Sequence, residues 1–125
     1  MRLILAIFLT LFVSEDREVY CTVYHAVKEQ TNEDPEHTAF MFKLDLEDPF
    51  KHRIIAVSRD LLDEYPKGTR VYVSGTDYNG IYTVMDKMGK TSKYRGKITN
   101  SIDILTNVNM RQGVWNAKIR KLIEY

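Results

Sequence analysis

The chain has 125 residues, enough for one domain with a modest core and too few for two. Its 28% charged and 44% hydrophobic content is ordinary for a globular domain and excludes global disorder. A net charge of +1 removes any global electrostatic case for nucleic acid, and no such partner is expected.

Residues 1–14 open with Arg2 and an apolar run from Leu3 to Val13, followed by charged residues. The run is shorter than the roughly 20 residues of a membrane span. It has the n-region and h-region of a secretory signal, so a signal peptide or an anchor is expected here. The expected location is therefore outside the cytoplasm, in the periplasm or cell envelope, with membrane contact only through these residues. Cys21 is the single cysteine, so no intramolecular disulfide can form, and it reads as a small core residue.

Residues 19–125 read as one domain of short strands. "VYCTVYHAV" places Tyr20, Thr22, Tyr24 and Ala26 on one face. "KEQTNEDPEHT" is a long polar loop, and "AFMFKLDL" is either a strand or a packed loop. "RIIAVS" is a short buried strand, and "RDLLDEY" is a helical turn. "PKGT" is a turn around Gly68. "RVYVSG" and "GIYTVMD" alternate around "TDYN" as a hairpin. A basic loop follows, then "SIDIL". "TNVNMRQGVW" is expected to be a short helix ended by Gly113, and "NAKIRKLIEY" a final strand. Six or more short strands with one or two short helices predict a mostly β, closed barrel.

Charge is uneven along the chain. Residues 1–86 carry nine basic and fifteen acidic side chains, and residues 87–125 carry nine and two. The basic excess centres on Lys87, Lys90, Lys93, Arg95 and Lys97, which suit either a solvated loop or an anionic polymer. His25, His37 and His52 are not at metal spacing, and "DLED" lacks the rhythm of a calcium loop, so no metal and no cofactor is expected.

Two aspartates flank the basic loop. In "SIDIL", Ile102 and Ile104 share one face, and Ser101, Asp103 and Leu105 share the other. With the isoleucines inward, Asp103 looks out into a groove or water. In "IYTVMD", strict alternation puts Tyr82, Val84 and Asp86 on one face. A carboxyl among apolar neighbours has a raised pKa, which suits a general acid.

Taken in order, "HRIIAVSRDLL", "KGTRVYVSG", "GIYTVMDKMG", "SIDIL" and "MRQGVWNAKIRKL" resemble the double-psi β-barrels of the three-aspartate domain family. Members of that family include the barrels of membrane-bound lytic transglycosylase A and rare lipoprotein A. The resemblance implies a six-stranded double-psi barrel with Asp60, Asp86 and Asp103 as the three aspartates. It makes Asp103 the catalytic acid and base, gives Asp86 the loop or the transition-state charge, and leaves Asp60 structural. Thr38 and Ala39 match a groove-lining segment, with Phe40 and Met41 standing where the family has Ser and Gly. Thr38, Tyr82, Tyr94 and Lys97 are the expected substrate contacts, and Gly68 and Gly113 are structural.

The implied function is a peptidoglycan-directed lytic transglycosylase, whose partner is peptidoglycan or another glycan polymer. The alternatives are a non-catalytic glycan-binding module and a structural barrel in an envelope or phage assembly. The enzyme requires a raised Asp103 pKa in a cleft. The binding module requires exposed aromatics in a row, and the scaffold an apolar patch without a cleft.

Overall fold

The computed structural model describes residues 15–27 and 34–123. The proposed signal or anchor at residues 1–14 lies outside them. Among the described residues no helix is long and apolar enough to cross a membrane.

Among the described residues eight strands form: β1 (Arg17–Tyr24), β2 (Ile54–Val57), β3 (Arg70–Ser74), β4 (Gly80–Lys87), β5 (Thr91–Ser92), β6 (Gly96–Lys97), β7 (Ser101–Leu105) and β8 (Trp115–Lys121). Six close into a barrel in the order β1-β7-β2-β4-β3-β8. β1 with β7 and β2 with β4 are parallel, and the other four pairs are antiparallel. Closure leaves none of these short strands with an open edge. β5 and β6 form a separate two-stranded hairpin from the basic loop.

Alternation along each strand sorts the side chains. Val19 and Cys21, Ile55 and Val57, Val71 and Val73, Tyr82 and Val84, Ile102 and Ile104, and Ala117 and Ile119 fill the barrel. A second apolar cluster lies outside it. Tyr24, Ile54, Ala56 and Leu105 come from the strands, Leu44 from the 34–48 segment, and Met88 from just past β4. All four residues of β2 are buried because both of its faces are covered.

Among the described residues two short helices form, one of them where no helix is expected. Pro49–His52 and Arg59–Leu61 are single 3₁₀ turns, the latter extended by a Tyr65 N–H bond to the Leu61 carbonyl at 2.8 Å. The helix predicted over 106–115 does not form. One turn remains there, with Met110 N–H bonded to the Asn107 carbonyl at 2.9 Å. The Asn107 side chain is instead engaged across the fold. It accepts from Phe50 N–H at 2.9 Å and donates to Asp48 at 2.8 Å. Such side-chain bonds compete with helix in a sequence of weak helix formers.

Candidate active site

Four side chains from four adjacent strands stand in a row on the outer face of the barrel. Thr22 pairs with Asp103, Asp103 with Ala56, and Ala56 with Asp86. Strands lie about 4.8 Å apart, so the two aspartate Cα atoms are separated by roughly 10 Å. Only the methyl group of Ala56 stands between them, which leaves that space open.

Asp86 reaches this row through an irregularity. Strict alternation would carry it to the inner face with Tyr82 and Val84. The register shifts between Ile55 and Ala56, so that Val84 pairs with Ile55 and Asp86 with Ala56. Met85 is the extra residue, and it packs on the outer cluster. This bulge turns Asp86 outward while Tyr82 and Val84 stay fully buried inside. The expectation that the three share a face is thereby corrected.

The two carboxyls have different surroundings. Asp86 is held by three donors: Tyr24 Oη at 2.9 Å, Ala39 N–H at 2.7 Å and Lys87 N–H at 2.9 Å. Asp103 is half-buried and accepts one bond, from Thr22 Oγ1 at 2.9 Å. Burial pushes the Asp103 pKa from its ordinary 3.8 to about 7; the Thr22 hydroxyl opposes the rise and the Asp86 charge adds to it. Tyr24 is buried beside Asp86. Burial first, then the charges of Asp86 and Asp103, raises its pKa, so its hydroxyl stays a donor. Cys21, inside the barrel, is pushed to about 12 by burial and by the Asp103 charge, which makes it an unreactive thiol.

Asp103, Ala56 and Asp86 floor an open cleft of about 460 Å³. One wall is the 34–41 segment, with Asp34, His37, Thr38, Ala39 and Met41. The other carries Arg59, Lys87, Met88, Gly89 and Ile98. A tight turn shapes the first wall. Thr38 N–H bonds the Phe42 carbonyl at 3.0 Å and Met41 N–H the Thr38 carbonyl at 2.9 Å, with Met41 at φ 63°. This turn aims Ala39 N–H at Asp86. Asp34, Glu36 and His37 bring their ligand-type atoms within 4.8 Å of one another on the rim. They are the one described cluster with the donor set for a cation, and Asp34 and His37 already bond each other at 3.0 Å.

The remaining expected site residues scatter. Tyr82 is fully buried, with its hydroxyl bonded to the Tyr78 carbonyl and to Arg53, so no face of the ring is open to a sugar. Thr38 lines the cleft but is itself buried. Tyr94 and Lys97 are exposed on the β5–β6 hairpin, away from the cleft lining. Asp60 lies outside the cleft and accepts from Asn100 N–H at 3.0 Å. Gly68 sits at φ 90°, where its N–H meets the Val84 carbonyl, and Gly113 lies under the Trp115 ring with no room for a Cβ.

Sequence reading missed Thr22, Tyr24 and Arg59. Thr22 and Tyr24 were visible as one face of β1. The parallel pairing of β1 with β7, which brings that face to Asp103, spans about 80 residues and leaves no local signal. No family model, curated protein or solved structure matches the chain.

Proposed function

We propose that this protein is a double-psi β-barrel that cleaves the glycan strand of peptidoglycan as a lytic transglycosylase, outside the cytoplasm at the cell envelope. The observation that carries this reading is the half-buried Asp103 carboxyl on an open cleft floor beside Asp86, where burial raises its pKa to about 7. The closed six-stranded barrel with two parallel pairs supports the double-psi assignment. So does the left-handed φ of 63° at Met41, which occupies the place of the family's glycine in the Thr38–Ala39 turn.

One carboxyl suffices for this chemistry. Protonated Asp103 gives its proton to the glycosidic oxygen, and the bond from the muramic acid C1 to that oxygen breaks. The carboxylate then takes the proton of the sugar's own 6-hydroxyl as O6 bonds to C1. The product is a 1,6-anhydro ring and Asp103 is protonated again, with no water consumed. Asp86, fixed by three donors, supplies negative charge near the developing oxocarbenium ion. The binding-only reading has less support. Among the described residues, the exposed tyrosines Tyr72 and Tyr94 lie on β3 and the β5–β6 loop, separated rather than in a row.

The test is mass spectrometry of purified peptidoglycan after incubation with the protein and with Asp103→Asn. Anhydro-muropeptides from the parent alone are expected. Reducing-end products would indicate hydrolysis instead. Absence of soluble product from the parent, with the protein pelleting on sacculi, would sink the enzyme reading.

A further inference from the structure

The two walls of the cleft differ in charge. Asp34, Glu36 and His37 stand on one side, and Arg59 and Lys87 on the other. Arg59 donates only to the Met88 carbonyl, at 3.2 Å, and neither cation has a carboxylate partner among the described residues. The β5–β6 hairpin rises from the same side. Gly89 before it and Ile98 after it both line the cleft.

The hairpin is anchored rather than loose. Arg95 stacks on the Tyr20 ring at 3.9 Å and donates to Ser101 Oγ at 2.9 Å, and Ile98 N–H bonds the Lys90 carbonyl at 3.0 Å. Arg95 is thus spent on the barrel. The anchored hairpin holds out Lys90, Lys93 and Lys97 together with Tyr94, which is 89% exposed. Lys93 Nζ lies 5.8 Å from the centre of the Tyr94 ring, and the rest of that side chain faces solvent.

We infer that this basic wall binds the carboxylates of an anionic glycan, with Arg59 and Lys87 at the cleft and the hairpin lysines beyond it. The inference rests on the cleft being a glycan site, and it names the substrate class as carboxylate-bearing rather than neutral strands. Mixed charge is the reason to favour a glycan over a nucleic acid. A strand with a phosphate on every unit would meet Asp34, Glu36 and Asp86 as well as the cations. A neutral sugar backbone with spaced carboxylates can set its charges on one wall only.

The test compares two probes with the same backbone chemistry by calorimetry on the full chain. One is amidase-stripped peptidoglycan strands with free lactyl carboxylates, and the other is chitohexaose. The parent is expected to bind the stripped strands about 10-fold or more tighter at low salt, with the gap closing as salt is raised. Arg59→Gln/Lys87→Gln, and separately Lys90→Gln/Lys93→Gln/Lys97→Gln, should each shrink the gap between the two probes several-fold. Equal binding of the two probes, a salt-independent gap, or a gap that survives both variants would overturn the inference and leave the glycan reading standing. If neither probe binds, both fall. Tighter binding of a dT12 oligonucleotide than of the strands would overturn the glycan class. Binding with the expected gap but without anhydro products would refute only the catalysis.

Discussion

The two faces of β7 are neighbours in sequence and opposites in chemistry. Ile102 and Ile104 point into the barrel among side chains that are almost all apolar. Asp103 points out, between buried Ser101 and Leu105, into a layer where apolar groups surround carboxyls. The inner face was shaped by packing alone. The outer face keeps a carboxyl partly out of water with one hydrogen bond, at a cost to stability, and what it gains is a proton held near neutral pH.

The sharpest way to break this contrast is to remove the ionisable group. Asp103 has a raised pKa, so between its ordinary 3.8 and about 7 the folded chain holds a proton that the unfolded chain has released. Stability therefore falls as pH rises through that window, by on the order of 4 kcal/mol from this group. Asp103→Asn should lose this slope. In urea melts at pH 4, 6 and 8.5, the variant should match the parent at the lowest pH and exceed it at the highest. Its activity should drop by about 10²–10⁴-fold. Parent activity should decline above pH 7, where the acid is ionised. Equal pH slopes in parent and variant would remove Asp103 as the source.

On the inner face the same strand should behave in the opposite manner. Ile104→Ala opens a cavity in a fully buried site and should cost about 2–5 kcal/mol. That loss should be the same at every pH, because nothing that titrates is involved. A pH-dependent loss would mean that the two faces are coupled.

The inner face was also the legible one. Alternation in "SIDIL" identified the isoleucines as core and Asp103 as outward, and local pattern located the strands of the barrel. Asp86 was not legible, because a single extra residue at Met85 reverses the parity on which such reasoning depends. Tyr82 was misplaced as a substrate contact, because the barrel closes over its ring. The helix expected at 106–115 lost to side-chain bonds formed by Asn107 with residues far back in the chain. Each of these depends on contacts distant in sequence.

A smaller effect is expected at Tyr24, which bridges the outer layer. Tyr24→Phe leaves Asp86 with two backbone donors and removes one hydroxyl bond. A stability loss of about 1–1.5 kcal/mol is expected in the same melts, with activity reduced several-fold. Unchanged activity would mean that the position of Asp86 is set by the backbone alone.

The smallest effect should come from Asp60, and its sign should be the reverse of that at Asp103. Burial acts upward on Asp60, but bonds from Ser58 and the Asn100 N–H, with the Arg17 charge, outweigh it and leave its pKa lowered. Its stabilisation is therefore present above the ordinary carboxylate range and lost as pH falls below it. Asp60→Ala should cost about 0.5–1 kcal/mol at neutral pH, since the site is exposed, and the gap from the parent should close in acid. The parent's gap from Asp103→Asn also closes in acid, but there the variant is the more stable protein. The same side chain thus opposes the fold at one position and supports it at the other. What differs is the number of donors facing the carboxyl against the water it has lost. A gap at Asp60 that widened in acid would overturn that account.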